Sequence, residues 1–598
     1  MILKEKKLLK SLWTFQTDRR KKQFWLLLVL TILAAMLEVV SLGAVLPFLG
    51  ILIDPEKIYI MQEVQPLIQL ANITNPTELI LPVTVIFIVV VLITAAVRLI
   101  LLYAITRFSF AVGADLSIGI YRRTLYQNYS VHVSRNSSEI INGIITKTNS
   151  VIHGVVSPIL TLITSVVLIF GIMTALFFIN IEVALSAFFG FGLLYSSIIL
   201  YTKKRLKQNG KCIAEESTRV VKSLQEGLGG IRDVIIDNNQ EFYCRLYREA
   251  DLPLRRASGD NQFISSSPRY IMEAVGMSLI AILAYAMTQD SKGLEVVPVL
   301  GALALGAQRL LPALQQAYSS YSTFIGSIPS FKDTMKLLMQ PLPKVNDNKN
   351  IDHIKFDKSL YLKNIEFRHS DSLPYVLKGI DLKIKKGSCV GFIGVTGSGK
   401  STLLDIVMRL LTPTSGKLLV DSLVINEDNK KFWQAHISHV PQTVYLSDAS
   451  IEENIAFGIS KKLIDHDRVK SAAKKSQISN LIDGWKDGYE TTVGERGVKL
   501  SGGQRQRIGI ARALYKKSTV LIFDEATSAL DSQTEKKIMN TIKSLDSELT
   551  ILIIAHRITT LKDCDQIIDL SECGNAVVKK YDEIINDMGL DNFRGIIS

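Results

Sequence analysis

Apolar stretches long enough to cross a bilayer, about 20 residues each, recur six times before residue 335 of the 598-residue chain. They fall at about 24–53, 79–106, 151–180, 183–202, 270–289 and 296–330. Phe24–Ile53 holds one charge, Glu38, and Leu79–Thr106 holds one, Arg98; the third and fourth runs hold none, the fifth holds Glu273 and the sixth Arg309. An even number of spans puts both ends of this half on one side of the membrane. The tail before Phe24 carries eight Lys/Arg and the segment from Lys203 to Arg256 is heavily basic, whereas Asp54–Glu78 has four acids and a single Lys57. Positive-inside bias then predicts cytoplasmic termini.

The connections are patterned too. Those after the second span (Arg107–Ser150) and after the fourth (Lys203–Arg269) are long and polar, with apolar residues recurring at three and four positions, which predicts helices and not loops. In the outer connection, Ile58, Met61, Val64, Leu67, Ile68 and Ala71 share one helical face. Such a helix either lies in the outer interface or packs on the bundle. Past Phe331 the pattern turns polar and proline-bearing (MQPLPKVNDNKN). The expected organisation is a membrane domain over 1–335, a linker over 336–355 and an α/β domain over 356–598.

Composition agrees. The chain is 47% hydrophobic with a mean hydropathy of +0.23, too apolar for an ordinary soluble enzyme. Its net charge of +13 would suggest nucleic acid on a soluble domain, but here much of it flanks the apolar runs, so no nucleic-acid partner is expected. Cys212, Cys244, Cys389, Cys564 and Cys573 form no CxxC pair and are expected to be free thiols. No small-residue cleavage site closes the first apolar run, which is expected to be a retained span.

The chemistry is concentrated after residue 390. Two apolar runs, Cys389–Ile393 and Val520–Phe523, read as buried parallel strands, each ending at a phosphate-handling motif. The first leads into Gly394, Val395, Thr396, Gly397, Ser398, Gly399, Lys400, Ser401 and Thr402. The glycines let backbone N–H groups curl around phosphate oxygens at a helix N-terminus, Lys400 reaches the β- and γ-phosphates, and Ser401 is the hydroxyl ligand of Mg²⁺. Asp524 closes the second strand, where an unpaired carboxylate is costly. Glu525 beside it is the candidate general base for the water that attacks the γ-phosphate. About one hundred residues after the loop stands LSGGQ, a second phosphate-binding segment in which Ser501, Gly502, Gly503 and Gln504 enter a helix. It lies too far along the chain to share a pocket with its own loop, so two chains are expected, each completing the other's ATP site.

With these motifs in this order the chain resembles ATP-binding-cassette (ABC) transporters of the exporter type: a six-helix membrane domain of type I exporter form, fused to an α/β P-loop ATPase in one half-transporter. The resemblance covers essentially the whole chain. It implies that His556, after the strand Leu549–Ala555, hydrogen-bonds the γ-phosphate, that Gln442 (VPQ) senses Mg²⁺ together with Ser401 and Asp524, and that Asp531 (SALD) crosses the dimer interface. Glu495 (TTVGERG) matches the exporter-specific segment before LSGGQ. It also implies short coupling helices at the tips of the long connections, placed near Val131–Glu139 and Asn238–Arg245. One position departs from the family: where an aromatic usually stacks on adenine stands His369, with Tyr375 a few residues on. Intact Glu525, His556 and LSGGQ make a homodimer sufficient.

Charges inside the spans are the handles on cargo, since intramembrane charge usually faces a cavity or a partner. Arg98, Arg269 and Arg309 are candidates for an anionic head group entering from the cytoplasm. The alternative is internal pairing, Arg269 with Glu273 and Arg98 or Arg309 with Glu38. Within the exporters the membrane half resembles bacterial flippases of lipid-linked oligosaccharides. The matches are Glu38 before Pro47 and Phe48, Pro268–Glu273 (PRYIME), and Arg309–Pro312 (RLLP). What this resemblance implies is an inner-membrane translocase of an anionic lipid-linked substrate; peptide or hydrophobic drug export stays open.

Overall fold

The six apolar runs fall in helical segments, which satisfy their backbone polar groups internally, as lipid would require. The computed structural model describes residues 2–53, 55–59, 75–179, 181–290, 296–342, 354–527, 529–544, 548–555, 557–570 and 575–587. Two units result, one of Met1–Gln127 with Val131–Lys344, the other of Asn128–Ser130 with Val345–Ser598. The long helices of the first are Asp18–Gly43, Ile80–Leu125, Ser157–Ile179, Ile181–Gly229, Pro268–Asp290 and Val296–Leu338. Among the described residues, the helical stretches 18–41, 76–125 and 137–177 are long and apolar enough to cross a membrane. At about 1.5 Å per residue, the 46 residues of Ile80–Leu125 reach about 69 Å, twice the roughly 30 Å hydrocarbon core. Ile80–Leu125 and the 49-residue Ile181–Gly229 are therefore both much longer than a hydrocarbon core is thick.

Several details differ from the sequence expectation. The first span is not one helix: it ends at Gly43 and resumes as Val45–Ile53, with Pro47 in the new first turn, where its missing N–H costs nothing. A separate helix, Ile2–Phe15, precedes it and packs Leu8, Leu9 and Leu12 onto the cluster that holds Leu337 and Leu338. At the tip of the first long connection stand Tyr129–Ser134 and Ser137–Asn142, the latter capped by Asn136, which accepts from the Ser138 N–H at 3.0 Å. At the second, the short helix is Ile231–Ile236, ahead of the predicted 238–245. The Gly229–Gly230 pair ends the long helix early, and Asn238 (φ 54°) takes the left-handed turn that starts Gln240–Ser266. Residues 60–74 of the outer connection, and 343–353 of the linker, lie outside the described residues.

Polar clips and small residues hold the extensions. Asn142 donates to Ser217 and Thr218 at 3.1 and 2.9 Å, Lys147 pairs with Asp333 at 2.7 Å, and Arg205 with Asp260 at 2.8 Å. Where the helices Ile181–Gly229 and Val296–Leu338 cross, a Cβ on Gly210 would stand 2.1 Å from the Gly326 carbonyl oxygen. Only glycine allows that approach.

In the second unit, a sheet of order β2-β1-β4-β5 (β1 Ser359–Phe367, β2 Leu377–Lys385, β4 Ser415–Val420, β5 Leu423–Val424) is antiparallel throughout. The other sheet has the order β10-β9-β3-β8-β7-β6, with β3 Cys389–Ile393, β6 Ile437–Val440, β7 Val520–Asp524, β8 Thr550–Ile554, β9 Gln566–Asp569 and β10 Val577–Lys579. Strands β9, β3, β8, β7 and β6 run parallel. Their residues are apolar because both faces are covered: Val390, Phe392, Ile522, Phe523, Leu552 and Ile554 are all buried. Parallel order matters for function, since the loops after β3, β7, β8 and β6 emerge at one edge, the usual place for ligands in such sheets.

Candidate active site

Strand β3 delivers the glycine loop. Gly394, Gly397 and Gly399 have φ of 146°, 86° and 95°, which L side chains rarely adopt. A Cβ at Gly399 would also meet Leu377 and Val376 at 2.9 and 3.0 Å. The loop closes into the helix Lys400–Val407, whose free N–H groups and dipole favour an anion. Lys400 is buried, and its ammonium donates to the carbonyls of Gly394 and Val395 at 2.7 and 3.0 Å. The lysine charge is thereby kept inside the concavity of the loop.

Strands β7 and β6 bring in the acids and the amide. The Ser401 hydroxyl lies 3.4 Å from Asp524 Oδ1. Burial, and then the neighbouring Glu525 carboxylate, push the Asp524 carboxyl upward. Glu525 follows in a left-handed conformation (φ 50°), with its N–H bonded to the Ile554 carbonyl. A non-glycine residue held there costs about 1–3 kcal/mol and is concentrated at functional sites. Gln442, two residues past β6, donates from Nε2 to Glu525 Oε2 at 2.6 Å. The structure therefore unites Lys400, Ser401, Gln442, Asp524 and Glu525 at one sheet edge. His556, two residues after β8 in sequence, lies outside the described residues.

The adenine-stacking position is divided. His369 sets its ring edge-on to Phe367 at 5.0 Å, and the Arg368 guanidinium lies over the Tyr375 ring at 5.1 Å. Tyr375 immediately precedes Val376 and Leu377, the two residues against Gly399. That continuity places the Tyr375 segment beside the phosphate loop. His369 reaches the same two residues through Phe367, whose carbonyl accepts from the Val376 N–H at 2.8 Å and which pairs with Leu377.

LSGGQ forms the start of the helix Gly502–Tyr515. Ser501 is its N-cap: the hydroxyl accepts from the Gln504 N–H at 3.2 Å, and the Gln504 side chain accepts from the Ser501 N–H at 2.8 Å. This reciprocal cap consumes the Gln504 carbonyl oxygen and leaves the first-turn N–H groups of Gly502 and Gly503 for an anion. Asp531 caps the next helix, Ser532–Lys543, accepting from Thr534 N–H at 2.9 Å; hydrogen bonding from the Thr534 side chain and then its backbone N–H draws the Asp531 carboxyl below the usual range. Gln506 accepts from the Ala529 N–H at 3.1 Å and so ties this loop to the LSGGQ helix. Among the described residues, no hydrogen bond or ion pair joins 500–504 to 394–402 of the same chain.

Asp405 was not singled out by sequence. It follows Lys400 on the loop's own helix, and burial followed by the Asp524 carboxylate pushes it up to about 6. The available signal was an acid in an otherwise apolar helical turn, LLDIV.

In the membrane domain, the pairing alternative is realised. Arg98 Nη1 lies 3.3 Å from both Glu38 oxygens, and Arg309 bonds the same carboxylate; Glu38 is 2% exposed. Arg269 pairs with Glu273 at 2.7 Å one turn along its own helix. Two guanidiniums on one carboxylate leave a net charge of +1.

Comparison with known proteins supplies the family. Residues 377–528 match the model described as ABC transporter, and residues 24–303 that of the ABC transporter transmembrane region. The chain belongs to the ABC exporters. It is a half-transporter with a type I exporter fold, a multi-pass membrane domain followed by an ATPase domain whose ATP hydrolysis is coupled to transport. An ATP-dependent lipid A-core flippase of Ralstonia nicotianae is 28% identical over 501 residues, 82% of each chain. One of Francisella tularensis subsp. tularensis is 29% identical over 489 residues (79% of this chain, 77% of the relative). The flippase of Francisella novicida is 37% identical over 266 residues, 44% of each. The solved structure of a bacterial Atm1-family ABC exporter with ATP bound superimposes with a TM-score of 0.77 at 22% identity, over 96% of this exporter and 98% of that chain.

Proposed function

We propose that this exporter works as a homodimer in the inner membrane, with both termini and the ATPase domains in the cytoplasm. Its cargo is a lipid-linked oligosaccharide or another anionic glycolipid, moved from the cytoplasmic to the outer leaflet. The named relatives are lipid A-core flippases, which supports a lipid cargo in general. The observation that carries the anionic head group is the buried Glu38 shared by Arg98 and Arg309. Charge inside a span is costly, and one guanidinium in excess calls for an anion.

The chemistry follows from the sheet edge. Backbone N–H groups of residues 394–399 and the Lys400 ammonium bind the phosphates, and the capped turn Ser501–Gln504 of the partner closes over them from the other side. Ser401, Gln442 and Asp524 present oxygen donors that suit Mg²⁺. The raised Asp524 carboxyl supports this reading, since it marks a site that disfavours uncompensated negative charge. When bound, the ion neutralises charge on the phosphates. Glu525, oriented by Gln442, takes the proton of the attacking water, and His556 holds the γ-phosphate. Asp531 spans the dimer interface beside the composite site. Tyr375 and His369 compete for the adenine face, and the Tyr375 segment's position beside Gly399 favours the phenol ring.

In vesicles holding a lipid-linked oligosaccharide, Arg98→Ala and Arg309→Ala should cut flipping about tenfold or more, the worth of a charge-assisted contact, with basal ATPase little changed. Glu38→Gln, which frees both arginines, should keep flipping. Equal losses of flipping and ATPase in all three variants would make the triad purely structural and return the cargo to peptides or drugs.

A further inference from the structure

A groove of about 720 Å³ lies between the helices Asp18–Gly43 and Ile80–Leu125, within the roughly 300–1,000 Å³ typical of small-molecule sites. The two helices run antiparallel, with Arg20 bonded to Asp115, Phe24 against Phe108 and Glu38 on Arg98. That register orders the lining. At one end stand Arg20 and Gln23, level with Ala111 and Ala114; Arg107 lies level with Leu26 and Leu27, and Leu30 and Ala104 come beyond, toward the membrane interior. The room arises because Ala104, Ala111 and Ala114 present small side chains on the longer helix.

The two arginines are not equivalent. Arg20 donates to Asp115 at 2.8 Å and to Gln23 at 2.9 Å, so its charge is compensated. Arg107 is exposed, lies 5.9 Å over the Tyr103 ring and has no carboxylate partner among the described residues. Aromatic residues mark the same level: Trp13 and Phe24 pack edge-on at 5.1 Å, and Trp25 is 62% exposed. Trp and Tyr gather where lipid head groups sit. Arg19 and Lys22 add positive charge at that end, as suits an anionic leaflet, whereas Lys21 pairs with Asp18 at 3.3 Å.

We infer that this groove binds an anionic glycerophospholipid of the cytoplasmic leaflet, its phosphate on Arg107 and an acyl chain running inward past Leu30 and Ala104. The graded lining decides the occupant. A lipid brings a negative charge at the interface and a hydrocarbon chain above it, whereas a transmembrane helix of the second subunit brings no charge required to meet Arg107. The site is separate from the Glu38 triad and does not depend on which cargo is flipped.

The test is native mass spectrometry of the full-length detergent-purified exporter, titrated with dioleoylphosphatidylglycerol and, separately, with dioleoylphosphatidylcholine. The wild type should bind the anionic lipid about tenfold more tightly, the order expected for one charge-assisted contact. Arg107→Ala should reduce that binding to the level of the zwitterionic lipid, Arg107→Lys should keep most of the preference, and Ala111→Trp should weaken both lipids by filling the groove. Equal binding of the two lipids by the wild type, or a preference that survives Arg107→Ala, would overturn the assignment. So would an Ala111→Trp variant that binds both lipids normally but no longer dimerises, since the groove would then receive a helix of the second subunit. A failure to flip glycolipid leaves these results untouched, so the two readings fail separately.

Discussion

Glu525→Gln should bind ATP and lose nearly all hydrolysis, accumulating a closed dimer with nucleotide trapped. The substitution keeps size and hydrogen bonding but removes the basic oxygen. The Glu525 carboxylate is fixed from three directions, because its backbone sits at φ 50°, its N–H is bonded to Ile554, and Gln442 grips Oε2 at 2.6 Å. A positioned general base contributes about 10²–10⁴-fold in rate, so residual turnover at or below the percent level is expected. Binding should persist because Lys400 and the loop N–H groups are untouched. Steady-state phosphate release and retention of labelled nucleotide measure the two halves of this statement. Near-normal turnover would remove Glu525 from the role.

A mixture of two inactive variants should recover activity. Lys400→Ala removes the ammonium that the loop carbonyls hold inside the phosphate concavity, and Ser501→Arg destroys the N-cap and fills the space in front of Gly502 and Gly503. Each homodimer then has two broken sites. Random mixing makes about half the dimers heterodimers, each with one site assembled wholly from intact halves. Roughly a quarter of wild-type ATPase is expected if that single site turns over independently. The measurement is ATPase of the co-expressed, unfractionated mixture, with homodimers of each variant as blanks; heterodimers isolated by tandem tags should reach about half of wild type. Sites built within one chain would give no recovery.

Much of this is readable from residues. The phosphate loop, Asp524–Glu525 and LSGGQ are contiguous, and their chemistry demands particular residue types at fixed spacing. The spans are readable because lipid demands long uninterrupted apolar runs. What sequence leaves open depends on distance along the chain. Glu38 meets Arg98 and Arg309 across 60 and 271 residues, so only packing could bring both arginines to one carboxylate. Gln442 and Glu525, 83 residues apart, meet because β6 and β7 are neighbours. The expected tip at 238–245 falls late because the Gly229–Gly230 break ends the long helix before the turn at Asn238 is reached. Helix Ile2–Phe15 is hidden in a basic tail whose apolar face, Leu8, Leu9 and Leu12, is short.

The most direct measurement reconstitutes the exporter in vesicles with a lipid-linked oligosaccharide on the ATPase-facing leaflet and follows glycan accessibility on the other side. Wild type with ATP should move the glycolipid in proportion to ATP hydrolysed, and Glu525→Gln with the same ATP should move almost none. Steady ATP hydrolysis without glycolipid movement, while a peptide or hydrophobic drug is carried, would contradict the account.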